Sequence, residues 1–107
     1  MKNCAVILAG GEGKRMKSDK PKTLSEVLGR PMLCWVMSAL RKAGIDDICV
    51  VKGFKKECVE EYLSTLDFSV ESVFQAERLG TGHAVMMAKD FLKKHSGNVV
   101  ILNGDAP

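Results

Sequence analysis

The stretch CAVILAGGEGKR, residues 4–15, decides the fold of this chain. Its first part is a continuous apolar run with β-branched members, and the run ends abruptly at Gly10 and Gly11. A run of this kind is typical of a central strand that is covered on both faces of a sheet. The glycines and basic residues that follow predict an exposed loop over residues 10–22, directly after that strand.

The remaining sequence alternates between helical and extended patterns. Apolar residues at helical spacing predict helices over Pro31–Ala43, around Val59, Tyr62, Leu63 and Leu66, and over His83–Lys94. Apolar stretches predict strands over Ile48–Lys52, Ser69–Phe74 and Asn98–Leu102, with a polar turn over Gln75–Gly82. Strands joined by helices require right-handed crossovers, so we expect an α/β fold with a Rossmann-like, doubly wound, mainly parallel sheet.

Length and composition are those of one ordinary domain. The chain has 107 residues, of which 46% are hydrophobic and 27% charged, and its formal net charge is +3. A charge this small does not indicate a nucleic-acid partner. The first residues lack the apolar core of a signal peptide, and no apolar run approaches the roughly 18 residues of a membrane helix. We therefore expect a soluble, cytoplasmic protein without a membrane partner.

The four cysteines, Cys4, Cys34, Cys49 and Cys58, lie within apolar stretches. They show no Cys-x-x-Cys spacing and have no pair of histidines nearby, which argues against a zinc site or a redox-active dithiol. We therefore expect these side chains to be buried free thiols.

The order of the predicted strands brings two parts of the chain together. In the usual doubly wound order, the first and fourth strands are neighbours, and their connections leave toward opposite faces of the sheet. A crevice therefore opens at their carboxyl ends. The loop over residues 10–22 and the segment Asn103-Gly104-Asp105 both begin there, so we expect the functional site in this crevice.

The loop after the first strand has the chemistry of an anion site. Besides its glycines it carries Lys14, Arg15, Lys17, Lys20 and Lys22, so backbone N–H groups and cationic side chains are available to one polyphosphate. The alternative interpretation is a solvated run of charge. The position of the loop directly after a central strand favours phosphate binding.

Two familiar phosphate motifs do not match this loop. A P-loop is excluded because Gly13-Lys14 is followed by Arg15 rather than by Ser or Thr, and because Leu8 stands where its first glycine would fall. The dinucleotide fingerprint breaks at Met16, which occupies the place of its third glycine. A nicotinamide cofactor is therefore disfavoured.

Three motifs, taken in order, resemble those of the sugar-1-phosphate nucleotidyltransferases. The first is LAGGEGKRM at residues 8–16, followed by Pro21-Lys22, which resembles the signature loop of that family. The other two, QAERLGTGHA at residues 75–84 and NGD at residues 103–105, are similar to the bacterial N-acetylglucosamine-1-phosphate uridylyltransferase branch. The resemblance implies that residues 1–107 are the N-terminal, nucleotide-binding half of the transferase domain, without its sugar-binding half or the acetyltransferase β-helix.

The resemblance also implies a role for each matching residue. Arg15 and Lys22 would bind phosphates and serve catalysis, Gln75 would face the uracil, and Asp105 would bind Mg²⁺ and the nucleotide. The other nucleotide-binding positions would be Leu8, Ala9, Gly10, Gly11, Gly80, Thr81, Asn103 and Gly104. An amide offers both a donor and an acceptor to a pyrimidine edge, and a glycine lets the backbone approach a flat base.

The implied reaction is attack by an oxygen of N-acetylglucosamine 1-phosphate on the α-phosphate of UTP, with release of pyrophosphate. Positioning and charge neutralisation by Arg15, Lys22 and Mg²⁺ would provide most of the acceleration. A single carboxylate beside a phosphate loop suits Mg²⁺, although an Asp after a strand and a Gly is also a common turn residue. The fourth strand would leave an exposed sheet edge, which favours association of copies of the chain.

Some positions depart from the uridylyltransferase pattern. They are Gly10, residues 12–14, and Asn103, which stands where an aromatic residue is common. These departures keep open enzymes of the same class that use dTTP or GTP, and a nucleotide-binding module without catalysis is a further alternative. The stretch from Gln75 to Ala84 favours UTP and N-acetylglucosamine 1-phosphate as substrates.

Several other conspicuous side chains are given structural interpretations. His83 opens a predicted helix without an evident carboxylate partner, which favours a structural role over general-base catalysis. Trp35 is predicted to be a buried anchor. The side chains predicted to fill the core are Met86, Met87, Phe91 and Leu92.

Overall fold

A computed structural model of the chain describes residues 3–9, 24, 26–53, 56–75, 81–94 and 97–104. In these ranges the helices are α1 (Met32–Lys42), α2 (Lys56–Ser64), α3 (Thr81–Met87) and α4 (Lys89–Lys93). The strands are β1 (Cys4–Ala9), β2 (Glu26–Val27), β3 (Arg30–Pro31), β4 (Asp47–Lys52), β5 (Glu71–Phe74) and β6 (Val99–Asn103). The alternation of strands and helices confirms the predicted α/β class.

Four of the strands form one parallel sheet in the order β5-β4-β1-β6. This is the doubly wound order that the sequence analysis assumed. The apolar run at β1 lies between two partners, because Ala5 pairs with Ile48 of β4 and with Val100 of β6. The backbone N–H of Cys4 also donates to the carbonyl of Asn98 at 3.0 Å, which aligns the last strand with the first.

Helices cover both faces of this sheet, as a doubly wound fold requires. Alternate residues of β1, including Ile7 and Ala9, belong to an apolar cluster with Leu33 of α1 and Val59 of α2. The other residues of the strand, including Val6, belong to a second cluster that is filled from α3 and α4. The two clusters explain why β1 is apolar at every position instead of alternating with polar residues.

A short hairpin precedes α1 and was not predicted from the sequence. Val27 of β2 pairs with Arg30 of β3, so only Leu28 and Gly29 form the turn. Both turn residues have positive φ, 53° and 79°, as a type I′ hairpin turn requires. Glycine adopts this conformation freely, whereas the side chain of Leu28 is 88% exposed and gains no packing that would offset its strain.

Substitution of Leu28 by asparagine should therefore stabilise the protein. Asparagine tolerates left-handed backbone, and Asn-Gly is the preferred pair for this turn, so we expect the free energy of unfolding to rise by about 0.5–1 kcal/mol. Urea denaturation would measure the change. Leu28→Val is the matched variant, and its β-branched side chain should lower stability; a lower stability for Leu28→Asn than for Leu28→Val would contradict this account of the turn.

The third predicted helix is divided in two by the structure. It begins at Thr81, two residues before the predicted start, and is interrupted at Ala88 between α3 and α4. The N–H of Ala88 donates to the carbonyl of Val85, three residues back, at 3.0 Å, so the backbone tightens at this buried alanine. The apolar spacing continues across the break, which is why periodicity alone predicted one helix.

Three predictions of core packing require correction. Met86 is 66% exposed and Met87 also faces solvent, so these two methionines do not fill the core, whereas Phe91 does. Trp35 is only half-buried, and the guanidinium of Arg30 lies 4.2 Å from the centroid of its ring. A cation that covers one face of an indole compensates in part for its exposure.

Strand β6 lies at the edge of the sheet and pairs with β1, as the sequence analysis predicted for the fourth strand. Its side chains on one face, Val99 and Ile101, are exposed. Among the described residues, no helix has the length and apolar character needed to cross a membrane.

All four cysteines are free thiols, but only Cys4 and Cys49 are buried; Cys34 and Cys58 are half-buried. Arg30 donates to the Cys34 sulfur through Nη2 at 2.9 Å and through Nε at 3.3 Å. Burial by itself raises the pKa of the Cys34 thiol, but hydrogen bonds from Tyr62 and Arg30 and the Arg30 charge outweigh it and lower that pKa. Burial raises the pKa of Cys49 to about 11.

These opposite shifts predict selective alkylation. The thiolate is the reacting form, so at neutral pH iodoacetamide should modify Cys34 at least about tenfold faster than Cys49 in the folded protein. Arg30→Met should slow the reaction at Cys34, because the charge that stabilises its thiolate is lost. Peptide mass spectrometry over time measures both rates, Arg41→Met on α1 serves as the control, and equal rates at the two cysteines would contradict the prediction.

Candidate functional site

The carboxyl ends of the four parallel strands meet along one edge of the sheet. In register, Leu8 of β1 pairs with Val51 of β4 and with Asn103 of β6, and Ala9 pairs with Lys52. The carboxyl ends of these strands therefore lie side by side. The connections that follow β1 and β6 begin at adjacent positions. This is the arrangement in which open α/β sheets place their ligands.

One hydrogen bond fixes the end of β6 against the end of β1. The backbone N–H of Gly104 donates to the carbonyl of Leu8 at 2.9 Å, and Gly104 is buried. Asp105 is the next residue along the chain, and Gly10 follows Ala9 at the end of β1. The segment with the candidate metal ligand and the segment predicted to bind phosphate thus follow neighbouring strands.

Gln75 lies at the end of β5 and is held by two separate parts of the fold. Its backbone N–H donates to the carbonyl of Lys52 at 2.8 Å, which continues the pairing of β5 with β4. Its side-chain Nε2 lies 3.0 Å from Nδ1 of His83 on α3. The side chain is only 6% exposed, and it is the buried polar residue of the described core.

The contact between Gln75 and His83 was not predicted. The sequence analysis gave the two residues unrelated roles, one facing a base and the other structural. Their closeness depends on how α3 packs on the sheet, where Ala84 is buried in the second apolar cluster. The signal available in the sequence was the spacing of the two residues across one short turn.

Lys52 is a further polar residue at this edge that the sequence analysis did not identify. Its Nζ lies 3.1 Å from Oε1 of Glu60 on α2 and donates to Oγ of Ser72 on β5 at 2.9 Å. This cation is thus already paired with a carboxylate in the structure. Phosphate binding by Arg15 and Lys22 stays a prediction from the sequence.

The described residues account for part of the predicted site. Those at the strand ends are Leu8, Ala9, Asn103 and Gly104, while Gln75 follows β5 and Thr81 begins α3. The predicted positions that lie outside the described residues are Gly10, Gly11, Arg15, Lys22, Gly80 and Asp105. Over the ranges that the structure describes, His, Cys, Asp and Glu form no cluster of three or more that could hold a metal ion.

The family of the chain follows from comparison with known sequences. The model of the nucleotidyl transferase family matches residues 4–106. The chain belongs to this family. Its parallel-sheet fold also agrees with those of solved structures.

Curated relatives of this nucleotidyl transferase chain are considerably longer than it is. The bifunctional protein GlmU of Clostridium beijerinckii is 52% identical over 107 residues, which are 100% of this chain and 23% of the relative. The GlmU of Zymomonas mobilis is 50% identical over 96% of the chain and 23% of the relative. The chain thus spans about a quarter of the length of these relatives.

Solved structures agree with the fold. HddC from Yersinia pseudotuberculosis, in complex with GMP-PN, superimposes with a TM-score of 0.82 at 29% identity over 98% of this chain and 48% of that chain. A UDP-glucose pyrophosphorylase from Acinetobacter baumannii gives a TM-score of 0.82 at 28% identity over 98% of this chain and 46% of that chain. The parallel sheet of this nucleotidyl transferase chain is thus shared with both.

Proposed function

We propose that the protein transfers a uridylyl group from UTP to N-acetylglucosamine 1-phosphate, giving UDP-N-acetylglucosamine and pyrophosphate. The observation that carries the proposal is the convergence of β1, β5 and β6 at one sheet edge, where the matching motifs begin. The identity of about half with proteins named GlmU supports this branch of the family. In this proposal residues 1–107 supply the nucleotide-binding half of the domain, and the reaction takes place in the cytoplasm.

Phosphate binding is assigned to the loop that follows β1. Arg15 and Lys22 would neutralise the triphosphate, whose charge grows on the phosphoryl oxygens during transfer. Leu8 and the three residues after it would line the nucleoside side of the site. The hydrogen bond between Leu8 and Gly104 supports this placement, because it brings the loop's origin beside the end of β6.

Base recognition is assigned to the other side of the sheet edge. Gln75 would present its amide to the uracil, and Gly80 and Thr81 would contact the nucleotide at the start of α3. A buried amide with a fixed backbone loses little conformational entropy on binding, which suits recognition of a flat polar edge. Asn103 and Gly104 would complete the nucleotide contacts from β6.

Magnesium is assigned to Asp105 together with the substrate phosphates. The donor chemistry fits, because Mg²⁺ uses one or two carboxylates and phosphate oxygens rather than a cage of protein ligands. The position in the chain also fits, because Asp105 directly follows Gly104, which is bonded to β1. When bound, the ion would neutralise phosphate charge.

A second candidate is transfer of a different nucleotide by the same fold. One observation favours it, namely that the HddC structure, at 29% identity, was determined with the guanosine nucleotide GMP-PN. Enzymes that use GTP or dTTP would place the same phosphate loop beside a differently shaped base site. The motif over residues 75–84 favours uridine.

Two measurements on the full-length protein test the proposal. Calorimetric titration with UTP, CTP, GTP and dTTP in the presence of Mg²⁺ identifies the preferred nucleotide. Release of pyrophosphate on addition of N-acetylglucosamine 1-phosphate then tests transfer, with glucose 1-phosphate as the control acceptor. Binding of UTP without turnover would favour a non-catalytic module, preference for GTP or dTTP would favour the second candidate, and absence of nucleotide binding would overturn all three.

A further inference from the structure

The contact between Gln75 and His83 joins the side-chain amide to one nitrogen of the imidazole ring. In the structure the amide nitrogen Nε2 of Gln75 faces Nδ1 of His83 at 3.0 Å. An amide nitrogen only donates, so Nδ1 must accept. This contact corresponds to the tautomer that carries its proton on Nε2.

We propose that His83 is a positioning residue that holds the Gln75 amide in one orientation and thereby makes the site select uridine over cytidine nucleotides. This inference rests on the proposed function, in which Gln75 faces the base of UTP. It adds a specificity-determining role for a residue that touches neither the base nor the phosphates.

The selectivity follows from the chemistry of the two bases. Uracil presents a carbonyl acceptor and an N3–H donor where cytosine presents an amino donor and an N3 acceptor, so the two edges have opposite patterns. A glutamine that is free to rotate its amide by 180° satisfies either base. A glutamine with one orientation satisfies only one, because the wrong base would leave buried polar groups unpaired.

The surroundings of Gln75 make the amide rotation costly. Rotation would bring the amide oxygen to Nδ1, so that two acceptors would face each other at a nearly buried residue unless the ring proton moved from Nε2 to Nδ1. The backbone of Gln75 is held by its bond to Lys52, and the neighbour of His83 on α3, Ala84, is anchored in the second apolar cluster. Both backbones are thus held by the sheet, so a rotated amide would keep this contact only with the other tautomer of His83.

The test compares the affinity for UTP and CTP in variants of the full-length protein. In His83→Leu the acceptor is lost, so the ratio of the two dissociation constants should move toward one by about tenfold, with UTP weakened and CTP strengthened. His83→Asn places an acceptor oxygen near the position of Nδ1 and should retain most of the selectivity. Met86→Gln, an exposed position on the same helix, is the control and should leave the ratio unchanged.

A second measurement needs no substitution, which matters if His83→Leu does not fold. Nitrogen-15 NMR of the imidazole should show Nδ1 unprotonated and the proton on Nε2 at neutral pH. A proton on Nδ1 would overturn the inference, and so would equal weakening of UTP and CTP binding in His83→Leu. A wild-type protein that binds UTP and CTP equally would overturn the inference alone, whereas one that binds neither would overturn the proposed function with it.

Discussion

Replacement of Arg15 by alanine should reduce turnover by about a hundredfold while leaving the protein folded. In the proposed reaction, negative charge grows on the transferring phosphoryl group, and a fixed cation stabilises that charge more in the transition state than in the bound substrate. The sequence places Arg15 in a hydrophilic loop beyond the end of β1 rather than in an apolar segment. Removal of its side chain should therefore affect catalysis without removing core packing.

Pyrophosphate release from UTP and N-acetylglucosamine 1-phosphate measures this effect on the full-length protein. Arg15→Lys should recover part of the rate, because lysine retains the positive charge but cannot make the bidentate hydrogen bonds of a guanidinium. Lys42→Ala, an exposed position near the end of α1, removes the same charge away from the sheet edge and is the control. A wild-type rate in Arg15→Ala would remove this residue from the catalytic assignment.

Replacement of Ile7 by alanine should cause a large loss of stability, about 2–5 kcal/mol. Ile7 is fully buried at the centre of β1, and it packs within the apolar cluster that joins the sheet to α1 and α2. Loss of its side chain removes buried apolar surface and leaves a cavity in a place where two helices meet the sheet. The free energy of unfolding from urea denaturation measures the effect.

Ile101→Ala is the matched control for this prediction. Ile101 lies on the neighbouring strand β6, in register with Val6, but its side chain is 46% exposed. The same chemical change should therefore cost less than about 1 kcal/mol there, because little apolar surface returns to water. Equal losses at the two positions would show that burial in the first cluster does not determine the stability of the sheet.

Much of the fold could be predicted from the sequence, because its periodicities reflect burial. The run at β1 is apolar at every position since both faces of the strand are covered, and this run alone indicated the central strand. The strand order was assumed from the usual doubly wound arrangement, and the structure has that order. The predicted boundaries were accurate to a few residues, for example Asp47–Lys52 where Ile48–Lys52 was expected.

The differences arise where the backbone departs from regular periods. The hairpin before α1 depends on two residues with positive φ, and leucine at one of them gives no sequence signal for that conformation. The exposure of Met86 depends on which part of α3 touches the sheet. The tight turn at Ala88 separates α3 from α4, and apolar spacing that continues across it does not reveal the break.

The candidate site was predicted from motifs, and its geometry was not. The sequence analysis placed Gln75 and Asn103 at the ends of strands, and the structure confirms both positions. The hydrogen bond to His83 and the ion pair of Lys52 with Glu60 join side chains from different elements, so they depend on how those elements pack. The roles of Arg15, Lys22 and Asp105 stay predictions.

The position of β1 in the sheet has a consequence for synthesis of the chain. Its partner β4 ends at Lys52, but the partner on its other side starts only at Val99, so the pairing of Cys4 with Val99 joins residues that are far apart in the sequence. A nascent chain therefore carries a hydrophobic strand with one open side until β6 has been made. A pause in translation before β6 should leave this side exposed, which favours aggregation.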